Sequence, residues 1–376
     1  MSDIAVQQTP ERRINGRRQG GERSWGRTVR AWVGLALLTG LTAPLAVASP
    51  AAAHDHPAHR GPAHAYVANV EDDTVSVIST RTNTVTATIP VGDRPLGVAL
   101  TPNGRRAYVT NNNGDSVSVI DTRTNAVTKT IRVGDGPVGV AVTPNGERVY
   151  VANFAADTVS VISTRTNAVT TTIPVGDGPF GVAVTPNGER VYVANDLGDS
   201  VSVISTRTNT VTTTIRVGDG PGNLAVTPNG ERVYVTNASS DNVSVISTRT
   251  NAVTATIPTG DLPNGVAVTP DGRRVYVTNL NSGTVSVIST RTNTVITTIR
   301  VGTWPRGVAF TPNGHRAYVP NELDDTVSVI DTGTNTVTTT IPVGDGPTGI
   351  AITQGCRSHH RGCAEGGAGH QAVSGK

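Results

Sequence analysis

The feature that most constrains this chain is its beat. Tyrosine falls at positions 66, 108, 150, 192, 234, 276 and 318, each 42 residues after the last, and nowhere else. The cleanest copy of the repeat reads GVAVTPNGERVYVANFAADTVSVISTRTNAVTTTIPVGDGP, residues 139–179. A fixed period of this size restricts the chain to a solenoid, a propeller or an array, in which one unit is stacked on copies of itself.

Each copy holds four short segments, of the types GVAV, RVYVAN, TVSVIS and AVTTTI. Their β-branched and aromatic side chains suit a pleated surface. Turn chemistry separates them: TPNG, a variable loop ending in Asp, TRTN and GDGP. Nothing has helical period. Four strands make one blade, and a blade buries its faces only against other blades. A linear stack would need atypical end repeats with polar outer faces, but here the end copies match the middle ones. The expectation is therefore an all-β, seven-bladed propeller of four-stranded antiparallel blades.

The ends of the repeated region support ring closure. It begins at AYVAN (Ala65 to Asn69), inside a repeat and lacking a first strand. It finishes at GPTGIAIT (Gly346 to Thr353), a first strand with nothing after it. The C-terminal strand is thus expected to complete the N-terminal blade.

The second strand carries a literal motif. It is YVTN at Tyr108–Asn111, Tyr234–Asn237 and Tyr276–Asn279, and YVAN or YVPN in the other copies. With TVSVI, TNTVT and IPVG following, the chain resembles the YVTN-repeat β-propellers of surface-layer and YncE-like type over residues 64–353. The resemblance implies a seven-bladed propeller in an exported or cell-surface protein. It implies no reaction, because a fold does not fix a function.

Outside the repeats, residues 1–53 read as a secretory signal peptide. A polar stretch with seven arginines precedes the apolar run 31–48, and small residues offer cleavage near Ala48 or Ala53. Gly34, Gly40 and Pro44 make that run a poor permanent span, so no membrane span is expected in the mature chain. This leader carries a net +4, from seven Arg against Asp3, Glu11 and Glu22; the whole chain is +3, so the remainder is near −1. The basic balance is therefore no argument for nucleic acid as a partner.

Residues 54–64 form a His-rich linker, in which His54, His56 and His59 are candidate metal ligands. Residues 354–376 read as a flexible tail. There Cys356 and Cys363 are a candidate disulfide, with a Cys–His metal site as the alternative.

In an up-and-down blade the TPNG and TRTN turns share one face of the disc, and the variable and GDGP loops share the other. The first face is basic, with Arg81, Arg123, Arg165, Arg207, Arg249 and Arg291 in TRTN turns, and Arg106 and its five equivalents beside them. The second is acidic, with a ring of Asp93, Asp135, Asp177, Asp219, Asp261 and Asp345. Almost all variation falls on this acidic face, as suits a binding surface on a constant scaffold. Its candidate ligand contacts are Phe154, Phe180, Asn264, Trp304 and Arg306. Trp304 and Arg306 stand where the repeat lacks its aspartates, with Gly283 and Thr303 instead, and are placed for stacking or cation–π attraction.

The repeats hold one histidine, His315, and neither a Ser-His-Asp set nor a cysteine nucleophile. The expected function is a monomeric, non-enzymatic binding module. Its partner would be a protein, a cell-wall glycan or a small molecule, with no cofactor. One alternative is a lactonase-like hydrolase holding a single divalent cation in its acidic funnel. Another is a surface scaffold stacking disc on disc.

Overall fold

The computed structural model describes residues 63–354. The signal peptide, His54, His56, His59, Cys356 and Cys363 lie outside the described residues. Among the described residues no helix is long and apolar enough to cross a membrane.

Seven four-stranded antiparallel sheets form the ring. Blade 1 joins the last strand, Pro347–Ile352, to His64–Asn69, Thr74–Ser79 and Thr84–Pro90. Blades 2 to 7 follow in chain order over 95–132, 137–174, 179–216, 221–258, 263–300 and 305–342. Closure occurs as the repeat register requires: Tyr66 pairs with Ala351 and Val67 with Ile350. His64, read from the sequence as the end of the linker, is already the first residue of its strand, and its amide donates to Thr353 Oγ1 at 2.9 Å. The only helical elements among the described residues are two three-residue 3₁₀ turns, Ala238–Ser240 and Glu322–Asp324.

Burial follows strand order within each blade. The three inner strands are buried almost throughout, as in RVYVAN at Arg148–Asn153. The outermost strand alternates, with Ala168–Pro174 exposing threonines on its outer side. Each blade interface has its own apolar cluster. Tyr150, Val159 and Val161 of blade 3 meet Val182, Val191 and Ile204 of blade 4. Tyr318, Val327 and Val329 of blade 7 meet Val67, Ile78 and Ile350 of blade 1. Each fully buried Val or Ile contributes about 1.5–3 kcal/mol relative to exposure, so interfaces built largely of β-branched aliphatics suffice without a large aromatic core.

Three polar ties account for the repeated polar residues. First, each tyrosine hydroxyl donates to the asparagine of the TRTN turn in the next blade: Tyr150 to Asn209 at 2.9 Å, and across the seam Tyr318 to Asn83 at 2.6 Å. Those asparagines hold positive φ, near 50°, which Asn tolerates better than other non-glycine residues. Second, Arg106, Arg148, Arg190, Arg232, Arg274 and Arg316 each donate to a threonine carbonyl of that same neighbouring turn. Blade 1 has His64 at this position, and Tyr66 reaches both Asn125 Oδ1 and Thr122 O. Third, the asparagine of each YVxN motif is fully buried and donates twice into the next strand, to two hydroxyls as Asn111 does to Ser116 and Ser118, or in blade 5 from Asn237 to Asn242 Oδ1 and the Ser244 hydroxyl. The glycine of each GD turn lies on it; a Cβ at Gly92 would come within 2.6 Å of Asn111 Nδ2.

Candidate functional site at the mouth of the ring

The inner strands line the axis, and each carries an irregularity at the same place. Pairing with the next strand is regular from Val98 to Leu100 but shifts register between Pro95 and Val98, and the same shift recurs in blades 3 to 6. Blade 1 shifts at the equivalent point. In blade 7 only Ala309–Phe310 keeps strand geometry, with an isolated bridge from Pro305 to Asn321. A bulge frees one side chain from the ladder and re-aims it. The freed residues are Leu96, Val138, Phe180, Gly222, Asn264, Arg306 and Thr348, all buried, at the loop-face end of the inner strands.

The glycine that follows each of these explains how tightly the inner strands pack. A Cβ at Gly139 would sit 2.1 Å from Phe180 O, and one at Gly265 2.2 Å from Arg306 O. Blade 5 inverts the pair: Gly222 comes first, and Asn223 occupies the glycine position, donating to Asn264 O at 3.2 Å.

A second tier sits just outside the first. It consists of the residue following each YVxN asparagine: Val70, Asn112, Phe154, Asp196, Ala238, Leu280 and Glu322. The two tiers together make an asymmetric mouth. Val70, Leu96, Val138 and Phe180, from four successive blades, form one buried apolar cluster with Phe154 packed against it. Phe154 and Phe180 meet edge to face at 6.0 Å between centroids.

The opposite arc is polar. Arg306 is 1% exposed, and its Nε donates to the carboxylate of Glu322. Its guanidinium carbon lies 5.2 Å from the centre of the Trp304 ring. Three buried atoms in this arc have no hydrogen-bond partner: Arg306 Nη2, Asn264 Oδ1 and Asn223 Oδ1. The other unpaired buried atoms are Oδ1 of five YVxN asparagines, a repeated feature of the blade interior.

Trp304 is held differently from its equivalents. The same turn position carries Arg94, Gly136, Gly178, Gly220, Leu262 and Gly346, all with positive φ. In those six blades the amide at this position donates to an aspartate Oδ1, as Gly136 does to Asp115 at 3.0 Å. Trp304 has φ of 54° and faces Gly283, which has no such oxygen. A non-glycine residue there costs of the order of 1 kcal/mol.

Asp196 stands out electrostatically. Its carboxyl is pushed up to about 6, chiefly by burial and then by the nearby charge of Asp199. It is partly protonated near neutral pH, unlike an ordinary surface aspartate.

The structure sorts the sequence candidates. Phe180, Asn264 and Arg306 share the inner tier, Phe154 sits in the second tier, and Trp304 stacks on Arg306. Arg306 itself is buried and ion-paired with Glu322. Asp93, Asp135, Asp177, Asp219, Asp261 and Asp345 lie exposed on the rim, one per blade, and do not converge. Among the described residues no three acidic, histidine or cysteine side chains come together as a metal site. The aspartates of the variable loops are committed to the turn amides described above. Sequence reasoning missed Asp196 and Glu322. Both open a variable loop, in the column that also holds Phe154, and only that column's place beside the mouth separates them from ordinary loop carboxylates.

With this geometry in hand, the comparisons are informative. The YNCE-like β-propeller family model matches residues 25–147. The model for lactonase, 7-bladed β-propeller, matches 164–298 and 265–344. The chain is a seven-bladed β-propeller that resembles the YncE-like and lactonase propeller families. Among solved structures it is similar to hydrazine synthase from Kuenenia stuttgartiensis, at 25% identity and TM-score 0.66, covering 80% of this chain and 98% of that one. It is also similar to a functionally unknown protein from Desulfotomaculum acetoxidans, at 18% identity and TM-score 0.71, covering 78% and 99%. A candidate 6-phosphogluconolactonase from Bacteroides uniformis gives 18% and 0.67, covering 78% and 100%. The 18% matches show shared fold alone. No curated protein matches the sequence. What sets this propeller apart is therefore what its blades do not share: the two tiers at the mouth.

Proposed function

We propose that this propeller is an exported binding module whose ligand enters the mouth of the ring on the acidic loop face. One observation carries the reading. The bulge position bears Leu, Val, Phe, Gly, Asn, Arg and Thr in the seven blades, while the turns and latches around it are nearly uniform. Scaffold positions repeat because every blade meets the same neighbour. A mouth that is different in every blade suits one asymmetric ligand on the axis. The mix of an apolar arc with a few placed polar groups is the usual composition of a small-molecule site. Export rests on the arginine-rich, apolar, small-residue order of the leader.

The test uses Trp304 as its reporter. In the full chain carrying Trp25→Phe and Trp32→Phe it is the only indole. A panel of neutral, anionic and cationic small molecules is titrated against its emission. Saturable shifts that Phe180→Ala weakens support the reading. Silence across all three classes refutes a small-molecule mouth and leaves a protein partner on the rim.

A lactonase-like hydrolase is the second reading. It is favoured by the lactonase family match over 164–344 and by Asp196, a carboxyl suited by its raised pKa to accept a proton near neutral pH. The rim aspartates are exposed and stand one to a loop, and among the described residues no three acidic, histidine or cysteine side chains come together to share a divalent ion. Base release followed at constant pH with aliphatic and sugar lactones tests it: turnover abolished by Asp196→Asn supports hydrolysis, and none above the buffer rate removes it.

A further inference from the structure

The unpaired groups at the mouth say what kind of ligand completes it. Arg306 Nη2 is a buried donor; Asn264 Oδ1 and Asn223 Oδ1 are buried acceptors. They belong to three consecutive blades, and Arg306 and Asn264 are 1% and 5% exposed. A buried polar group left unpaired is unfavourable, and a ligand offering both donors and acceptors relieves it.

Charge narrows the class. Arg306 is already neutralised by Glu322, and Asp196 and the exposed aspartates of the rim surround the mouth with further carboxyls. An anion would pair with the guanidinium but leave both asparagine oxygens unmatched and meet those carboxylates. A cation would meet buried Arg306. A neutral molecule whose hydroxyls both donate and accept fits all three atoms. Across the mouth, Phe154 and Phe180 with Leu96 and Val138 give such a molecule an apolar wall for its C–H face.

Resting on the mouth as the binding site, we infer that the ligand is a neutral polyhydroxylated ring, a sugar without phosphate or carboxylate, which hydrogen-bonds to Arg306 and Asn264 and packs on Phe154 and Phe180. Trp304 lies against the guanidinium, on a turn held by the Thr303 amide donating to Asp324 at 2.7 Å, so its emission reports on what reaches Arg306.

The experiment is a titration of the same single-tryptophan full chain with three matched sets: glucose, galactose, mannose and N-acetylglucosamine; their 6-phosphates; and glucuronate and galacturonate. At least one neutral sugar is expected to shift Trp304 emission saturably, with its charged counterpart at least tenfold weaker. Arg306→Lys, which keeps the charge but not the planar donor array, is expected to weaken the neutral sugar at least tenfold. Because a buried pair is at stake, Phe154→Ala is the companion variant: it leaves the melt close to the parent and also weakens the sugar. A phosphate or uronate binding more tightly than its neutral parent overturns the inference while leaving the mouth as the site. The same holds if all three sets are silent but another class in the broad panel binds. Silence in both panels overturns the site itself.

Discussion

Replacing Asp196 by asparagine is expected to stabilise the propeller, and to do so only above acidic pH. Burial, with Asp199 adding to it, pushes the Asp196 carboxyl from its usual 3.8 to about 6. The folded chain therefore holds this proton more tightly than the unfolded chain does. Below about pH 4 both states are protonated and the aspartate carries no penalty. Between about pH 4 and 6 the unfolded state ionises freely while the folded state resists, so the fold loses ground as pH rises. Above about pH 6 the loss is constant, and at 1.36 kcal/mol per pH unit it amounts to about 3 kcal/mol. Asparagine has nearly the shape of the protonated acid and does not ionise. Asp196→Asn should thus gain up to about 3 kcal/mol at pH 8 and nothing at pH 3.5. Urea unfolding at five pH values between these limits, with parent and variant side by side, measures the difference directly. A difference that does not change with pH, or a gain below about 0.5 kcal/mol at pH 8, would refute the assignment of Asp196 as a half-buried, unfavourably ionised carboxyl. Such an unfavourable group at a mouth is also what a functional site retains at the expense of stability.

Three further outcomes follow from the packing. Gly139→Ala forces a Cβ to within 2.1 Å of Phe180 O, where backbone meets backbone; it is expected to cost about 3 kcal/mol or more, whereas Gly104→Ala, at φ 67° with only an ordinary contact to Thr353 at 3.8 Å, costs about 1 kcal/mol, and chemical denaturation of the pair separates them. Tyr150→Phe removes one of seven equivalent inter-blade hydrogen bonds and should cost about 1 kcal/mol, with a second substitution at Tyr234 adding independently; strong non-additivity would mean that the ring of ties acts as a unit. Removing residues 345–376 deletes the strand that pairs with His64–Asn69 and exposes a hydrophobic edge, so size-exclusion chromatography should show aggregates or swapped oligomers in place of the parent's species; an unchanged elution and melt would show that closure contributes little.

The architecture was legible in the sequence because its signals are local and repeated seven times. The 42-residue beat, the four strand segments and their turn residues each state the blade, and the broken first repeat states how the ring closes. Even so, the sequence alone did not say why the repeated polar residues repeat. Tyr150 reaches a turn 59 residues on, and Arg148 one 58 residues on; those ties exist only when blades stand side by side. The variable-loop aspartates latch turn amides and the Arg106 series bonds to carbonyls of the neighbouring blade, while the Asp93 ring stays exposed.

The candidate site divides the same way. Phe154, Phe180, Asn264, Trp304 and Arg306 are candidates because they lie in the columns of the repeat that vary. Their arrangement is not legible there. An irregularity at one point of each inner strand, a bulge in six blades and a break in the seventh, places Leu96, Val138, Phe180, Asn264, Arg306 and Thr348 at one end of the inner strands, and no residue in any single repeat announces that grouping. Arg306 stands in sequence beside Trp304 as a candidate for ligand contact; packing buries it, pairs it with Glu322 and leaves one of its nitrogens unmet. Local chemistry determined the blade, because strands and turns depend on near neighbours. The ring alone decided the site, because burial and proximity to the axis depend on residues from every blade at once.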